Sequence, residues 1–180
     1  DDFENVGDDE DIQRSAALKK TTELRKITDA KLAENHHQYA KFSEKLKELI
    51  ERMDDNQYSW ADKLKAAEQF AKDLEAEAKA HEGTGMSFEE HALLKVIESV
   101  IGGAASSEAQ KALAEQAAAI YTDETLAPKL WQTKDGVKKA LRQRVRKAAL
   151  GLDYDSKQVK ELSIEIEEMA LKLFAKGKYE

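Results

Sequence analysis

Residues 87–103 read SFEEHALLKVIESVIGG and contain the most apolar segment of the chain. Ser87, followed three residues later by Glu90, is the capping-box pattern that predicts the start of a helix. The apolar residues that follow occupy most sides of this helix, so only a narrow side is expected to be exposed to solvent: Leu93, Leu94, Val96, Ile97, Val100 and Ile101. Gly102 and Gly103 end the pattern. The stretch therefore predicts a core helix packed inside a helical domain.

The composition of the chain extends that prediction to its whole length. Ala, Glu, Lys, Leu and Gln dominate, and one proline with eight glycines leaves few helix breakers. We expect an all-α fold, an irregular bundle of about six helices.

The absence of cysteine excludes disulfides and thiolate metal sites. A net charge of −7 predicts no general attraction to nucleic acid or membrane, and no apolar run is long enough to span a bilayer. We expect a cytoplasmic protein.

The sequence predicts three segments along the chain. Residues 1–11 contain seven acidic residues and no basic one, which favours a flexible tail or linker, and the start without Met suggests a fragment of a longer protein. Residues 12–82 have helical spacing and form a helical segment or spacer. A break at Gly83–Gly85 separates this segment from residues 86–180, a compact C-terminal helical domain.

The helical segment contains two apolar patterns. The first is a helix face formed by Tyr39, Phe42, Leu46, Leu49, Ile50 and Met53. Ser59 and Asp62 then predict an N-terminal cap. The helix after this cap carries apolar residues in steps of four and three, the spacing of a helix packed along a partner: Trp60, Leu64, Ala67, Ala71, Leu74, Ala78 and His81.

In the C-terminal domain we expect helices over Ser107 to about Tyr121, about Thr133–Leu150 and about Ser156–Phe174. Thr122–Pro128 is a connector, because proline disfavours helix at the residue before it. Trp60 and Trp131 are interpreted as core anchors rather than stacking platforms, since an indole buries a large apolar area.

One segment is strongly basic. Between residues 129 and 147 eight cations accompany a single acid, Asp135: Lys129, Lys134, Lys138, Lys139, Arg142, Arg144, Arg146 and Lys147. Lys138, Arg142 and Arg146 recur every four residues and predict a ridge along one helix face, hereafter the ridge. The opposite, buried stripe is predicted to contain Val137, Leu141, Val145 and Ala148. Like charges stacked in this way repel each other, so an anionic group is expected opposite them.

Three sources of that negative charge stay open. Glu161, Glu165, Glu167 and Glu168 of the following helix could supply it within the chain. DNA phosphates suit Arg and Lys, and an acidic protein partner is the third possibility. The candidate DNA- or partner-binding residues are Lys134, Lys138, Lys139, Arg142, Arg146 and Lys147, with Arg144 nearer the apolar stripe. Trp131 and Leu141 hold the ridge in place.

No pattern indicates catalysis. His36 and His37 are adjacent and cannot share one metal on a helix. His91 lies beside Glu89 and Glu90 without a matching nucleophile or a second histidine at ligand spacing. Gly83–Gly85 lacks the pattern of a nucleotide phosphate loop, and the acidic tail lacks calcium-loop spacing. We therefore expect no catalytic residue, no metal and no cofactor bound by these residues.

Two stretches, in order, match a known helical pattern. The first runs from Lys26 through Tyr39, Phe42–Ser43 and Leu46 to Met53, and the second contains Trp131, Lys134, Leu141–Arg142, Val145, Leu150 and Leu152–Asp153–Tyr154. Together they resemble the C-terminal region of the motor and restriction subunits of type I restriction-modification enzymes, over most of residues 24–174. The family often has proline where this chain has His36–His37, and Gly next to Tyr where Gly151 and Tyr154 stand apart.

The resemblance implies a helical module that follows the nuclease and helicase domains of a bacterial subunit. Those domains bind ATP and Mg, and their motifs are absent from these residues. The implied partners are double-stranded DNA, the methyltransferase and specificity subunits, and the rest of the motor subunit. The alternative is a structural spacer or docking adaptor without DNA contact, in which the ridge pairs internally and the Trp60–His81 pattern meets the partner.

Overall fold

The protein is all-α in the computed structural model, which describes residues 4–102 and 107–175. Within these residues there are seven α-helices and no strands. They are α1 Glu4–Glu34, α2 His36–Asp54, α3 Trp60–Ala78, α4 Phe88–Ile101, α5 Ser107–Thr122, α6 Asp135–Leu150 and α7 Ser156–Leu173, with a 3-10 helix at Trp131–Thr133. The all-α prediction is confirmed. In this part of the chain no helix combines the length and apolar character needed to span a membrane.

The chain divides into two compact units, Asp1–Ala80 and His81–Glu180. The division falls just before the Gly83–Gly85 segment, where Gly83 and Gly85 have φ values of 82° and 75°. Glycine takes such values most readily, so Gly83 and Gly85 suit the turns between the end of α3 at Ala78 and the start of α4 at Phe88.

In the N-terminal unit α1 packs against both α2 and α3. The residues that meet between the helices are buried: Ala17, Leu24, Tyr39, Phe42, Leu46, Leu49, Met53, Ala67, Phe70 and Leu74. The rings of Phe42 and Phe70 meet edge to face with centroids 5.8 Å apart, a favoured aromatic geometry. The predicted face of α2 is thus confirmed, with Ile50 partly buried at its margin.

Local hydrogen bonds set the helix starts in this unit. The Gln38 amide donates to Asn35 Oδ1 at 3.1 Å, and Asn35 is the single residue between the end of α1 and the start of α2. This break was not predicted, and it accounts for the described residues forming seven helices where about six were expected. The predicted cap at Ser59 is confirmed, because its hydroxyl accepts from the Asp62 amide at 3.1 Å.

A buried lysine joins the end of α2 to the start of α3. Lys63 is 2% exposed, and its ammonium donates to the Met53 carbonyl at 2.8 Å. The same nitrogen lies 4.0 Å from the centroid of the Trp60 ring, while the Arg14 guanidinium lies 5.5 Å from it. Trp60 itself is partly buried against the core. The ring and the carbonyl replace the water that the ammonium loses.

The core of the C-terminal unit surrounds α4. Leu93, Val96 and Ile97 are fully buried, and α5, α6 and α7 contribute apolar residues to the same cluster. The capping box is confirmed: the Glu90 amide donates to Ser87 Oγ at 3.1 Å, and the Ser87 amide donates to Glu90 at 2.8 Å. Gly102 ends the helix with a φ of 73°, whereas Gly103 lies outside the described residues.

Several predicted boundaries differ from the structure. Helix α1 already begins at Glu4, so Glu4–Asp11 is helical rather than a linker without structure, although Asp9, Glu10 and Asp11 are exposed. Residues 1–3 lie outside the described range. Helix α3 ends at Ala78, and the backbone turns before His81, which therefore does not continue the Trp60 pattern. Helix α6 begins at Asp135, because Trp131–Thr133 forms a 3-10 turn first.

Candidate functional site

Helix α6 carries the basic segment and is held in the C-terminal unit by its apolar side. Leu141, Val145 and Ala149 are at most 1% exposed, while Val137 and Ala148 are partly buried. Ala149 was missing from the predicted stripe. At about 100° per residue it lies on the helix side of Lys138 and Arg142, so the buried arc extends into the side of α6 that carries the ridge.

The segment before α6 is anchored by Trp131. Its indole is 2% exposed, and its ring centroid lies 5.1 Å from that of Tyr121 on α5. Leu130 just before it has a φ of 62°, in the left-handed region that non-glycine residues rarely adopt. Burial of the indole therefore stabilises a strained turn, and this turn sets where α6 starts.

The middle of the ridge pairs with α7. Arg142 Nη1 donates to Glu167 Oε1 at 3.1 Å, and Glu167 is only 8% exposed. Burial raises the pKa of the Glu167 carboxyl, and the nearby Arg142 and Lys138 offset part of that rise. Burial also raises the pKa of Tyr121, with a further contribution from Glu167. Arg142 thus compensates a carboxylate that the fold removes from water.

The other two ridge residues also make contacts within the unit. Arg146 Nε donates to Ser163 Oγ at 2.9 Å, and Ser163 is fully buried on α7. Lys138 Nζ lies 2.8 Å from the exposed carboxylate of Asp135. Both ridge residues are partly buried. The ridge therefore lies along the packing boundary with α7 and not on the face opposite the core.

Two carboxylates lie against the ridge, Glu167 of α7 beside Arg142 and Asp135 of α6 beside Lys138. Glu167 contacts Arg142, whereas Glu161 and Glu168 are exposed on α7. This pairing was one of the three possibilities left open by the sequence. The contribution of Ser163 was missed, because a serine in a helix gives no charge signal.

A second set of cations faces solvent. Lys139, Arg144 and Lys147 are exposed on α6, as are Lys129 and Lys134 in the segment before it. The structure shows no ion pair for these five side chains within residues 4–102 and 107–175. Arg144 was expected nearer the apolar stripe. It is exposed instead, because the buried arc is centred on Leu141, Val145 and Ala149 and leaves Arg144 at its edge.

The described residues contain no group of three or more side chains suited to hold a metal ion. His36 and His37 form an edge-to-face pair with ring centroids 6.1 Å apart. His91 is 6% exposed and packs at 6.3 Å from the ring of His81. The basic surface of α6 is the feature with the clearest chemical preference, which is for anions.

Comparison with protein families gives one match. Residues 14–175 match a family described as the C-terminal region of endonuclease subunits like that of the type I restriction enzyme HindI. The chain belongs to this family. It is the C-terminal part of a type I restriction endonuclease subunit, and the family implies a complex with other subunits. Comparisons with curated proteins and with solved structures give no significant match.

Proposed function

We propose that this domain is a non-catalytic module of the type I restriction motor subunit, which docks the subunit on the methyltransferase and specificity core and contacts DNA phosphates. The observation that carries the DNA contact is the exposed cation set of α6 and its N-terminal flank, defined here as the basic face: Lys129, Lys134, Lys139, Arg144 and Lys147. ATP hydrolysis and DNA cleavage then belong to other domains of the parent subunit.

The spacing of the basic face suits a duplex. Lys139 and Lys147 lie eight residues apart, which is about 12 Å along a helix axis. A duplex carries a negative charge about every 1.7 Å, so a helix along its backbone meets phosphates at both positions. Arg144 can donate a bidentate fork to a phosphate, and lysines act as mobile point charges. Such contacts hold DNA without reading its sequence.

Binding to DNA would require the ridge, but not the basic face, to give up contacts within the protein. Arg142 and Arg146 would have to leave Glu167 and Ser163, which are buried. Removing the partner of a buried carboxylate is costly. The exposed cations give up only water and counterions, and counterion release favours binding. We therefore assign the DNA contact to the basic face and the packing of α6 on α7 to Arg142 and Arg146.

The test is binding of the chain to a labelled DNA duplex across a salt series. For about four phosphate contacts the slope of log K against log salt is about −4. Replacing Lys139, Arg144 and Lys147 by Gln is expected to reduce the slope by about 3. The control replaces Lys19, Arg25 and Lys26, an equal number of exposed cations on α1, and leaves the slope unchanged.

Docking is tested separately, by sedimentation of the parent subunit with the methyltransferase and specificity core. Removal of residues 14–175 is expected to abolish the complex. The alternative function is a structural spacer without DNA contact. It is supported by the internal contacts of Arg142 and Arg146. Docking without any salt-dependent DNA binding would favour the spacer over the proposed function.

A further inference from the structure

A groove opens on the C-terminal unit between three helix ends. The first turn of α4, the last turns of α5 and the end of α7 enclose about 520 Å³. This volume lies within the usual range of ligand pockets, about 300–1,000 Å³. The basic face takes no part in it, since no residue of α6 lines the groove. The groove is therefore a separate surface of the same unit.

The charge of the groove is acidic. Glu89, Glu90 and Glu115 line it, and no lysine or arginine does. Glu90 already accepts the Ser87 amide in the capping box. Glu89 is partly buried and Glu115 is exposed, and neither has an ion pair within the described parts of the chain. Within the described residues, these two carboxylates of the groove have no cationic partner.

The rest of the groove lining is mostly apolar, with Ser87 and Thr122 as its other polar residues. Ala118 and Ala119 on α5 line the groove together with Leu173 and Phe174 at the end of α7. Alanine permits close approach of another backbone, while the phenyl ring and the leucine offer contact for aliphatic carbon. Lysine and arginine have an aliphatic stem and a cationic head, so they fit walls of this kind beneath carboxylates.

We propose that this groove docks a lysine- or arginine-bearing segment of a partner protein subunit. The stem of the partner residue packs against Leu173 and Phe174, and its cationic head pairs with Glu89 and Glu115. The charge complementarity and the apolar walls argue for a protein segment, since a nucleic acid would be repelled by the same carboxylates. The inference rests on the docking part of the proposed function and names the chemistry of the partner surface.

The first experiment titrates the whole chain with a fluorescent peptide of alternating Lys and Leu, beside a peptide of alternating Glu and Leu. Only the lysine peptide is expected to bind. Replacement of Glu89 and Glu115 by Gln is expected to raise its Kd about fivefold, because partly exposed charge pairs are individually weak. The control replaces Glu124 and Glu161, which are exposed and do not line the groove, and leaves the Kd unchanged.

The second experiment sediments the same variants, in the parent subunit, with the methyltransferase and specificity core. Loss of affinity only in the groove variant supports the inference. Wild-type assembly with no effect of the groove variant overturns the inference and leaves the proposed docking intact. No assembly of the wild type sinks the docking proposal itself, and the peptide titration then decides the groove alone.

Two other occupants would also overturn the inference. If the peptide binds only to a chain that ends at Ala175, residues 176–180 compete for the groove. If the chain self-associates and the groove variant abolishes this, a second copy is the occupant. Thermal unfolding of each variant shows that the changes leave the fold intact.

Discussion

Arg142 Nη1 lies 3.1 Å from Glu167 Oε1, and this pair joins α6 to α7. The glutamate side chain is 11% exposed and the arginine side chain 34%. The attraction within a partly buried ion pair adds little to the stability of the folded state. Removing one partner is destabilising, because the other charge is then buried without a counter-charge. The pair therefore assigns Arg142 to the packing of α6 on α7, whereas Lys139, Arg144 and Lys147 of the same helix are exposed.

Replacing Arg142 by Met is expected to destabilise the C-terminal unit by about 1–2 kcal/mol, because the apolar stem is kept but Glu167 loses its partner. Arg144→Met, on the exposed side of the same helix, should stay within about 0.5 kcal/mol of the wild type. Urea unfolding measures both. Adding Glu167→Leu to Arg142→Met should recover most of the loss. If Arg142→Met is as stable as Arg144→Met, the pair has no structural role.

The raised pKa of Glu167 predicts a pH dependence. The Glu167 carboxyl binds its proton more tightly in the folded state than in the unfolded state, where its pKa is the ordinary 4.5. The folded protein therefore loses stability as the pH rises from 4.5 through the folded-state pKa. Compared with Glu167→Gln, which cannot titrate, the wild type should therefore become less stable as the pH rises from about 4.5 toward 7. Arg142→Gln should enlarge this loss. The opposite trend in urea unfolding would mean that the ion pair outweighs burial.

Local signals allowed much of the fold to be predicted from the sequence. The side chains of Ser59 and Ser87 each accept the amide three residues later, which marks the start of a helix, and apolar spacing identifies the buried sides of α2 and α4. The break at Asn35 carries no glycine or proline. Its signal is weaker, an asparagine whose side chain accepts the Gln38 amide, and it was missed.

Contacts between helices were harder to predict. Glu167 could be proposed as a partner of the ridge, but choosing it over Glu161 and Glu168 requires the register between α6 and α7. Burial of Lys63 depends on the Met53 carbonyl and the Trp60 ring, which the chain brings together only after folding. Arg144 is exposed because the buried side of α6 is centred on Val145 and includes Ala149, and the burial of this one alanine among the several of the chain could not be read from the sequence.

Because the ammonium of Lys63 is buried, the stability of the N-terminal unit should be sensitive to substitution of this lysine. Lys63→Ala should destabilise the N-terminal unit by about 1–3 kcal/mol, since it removes a charge-assisted hydrogen bond, a cation–π contact and buried stem carbon. Lys65→Ala, two residues away and exposed, should change stability by less than about 0.5 kcal/mol. Thermal unfolding of the two variants decides. Equal effects would show that the Lys63 contacts are energetically neutral.

The capping box of α4 predicts a loss from a single hydroxyl. Ser87→Ala should destabilise the C-terminal unit by about 1 kcal/mol, because the Glu90 amide loses its acceptor. Ser15→Ala, inside α1 and exposed, should be neutral or slightly stabilising, since alanine is the better helix former. Urea unfolding of the pair compares the same substitution in two settings. A harmless Ser87→Ala would show that water replaces the cap.

The two cation sets of α6 predict opposite outcomes from equal losses of charge. Gln at Lys138, Arg142 and Arg146 should lower stability by more than about 1 kcal/mol, because Glu167 is left without its partner. Gln at Lys139, Arg144 and Lys147 should leave stability unchanged while weakening duplex binding and flattening its salt slope. Unfolding and DNA titrations of both variants are needed. If the first variant loses DNA affinity while keeping its stability, the ridge and not the basic face is the DNA contact.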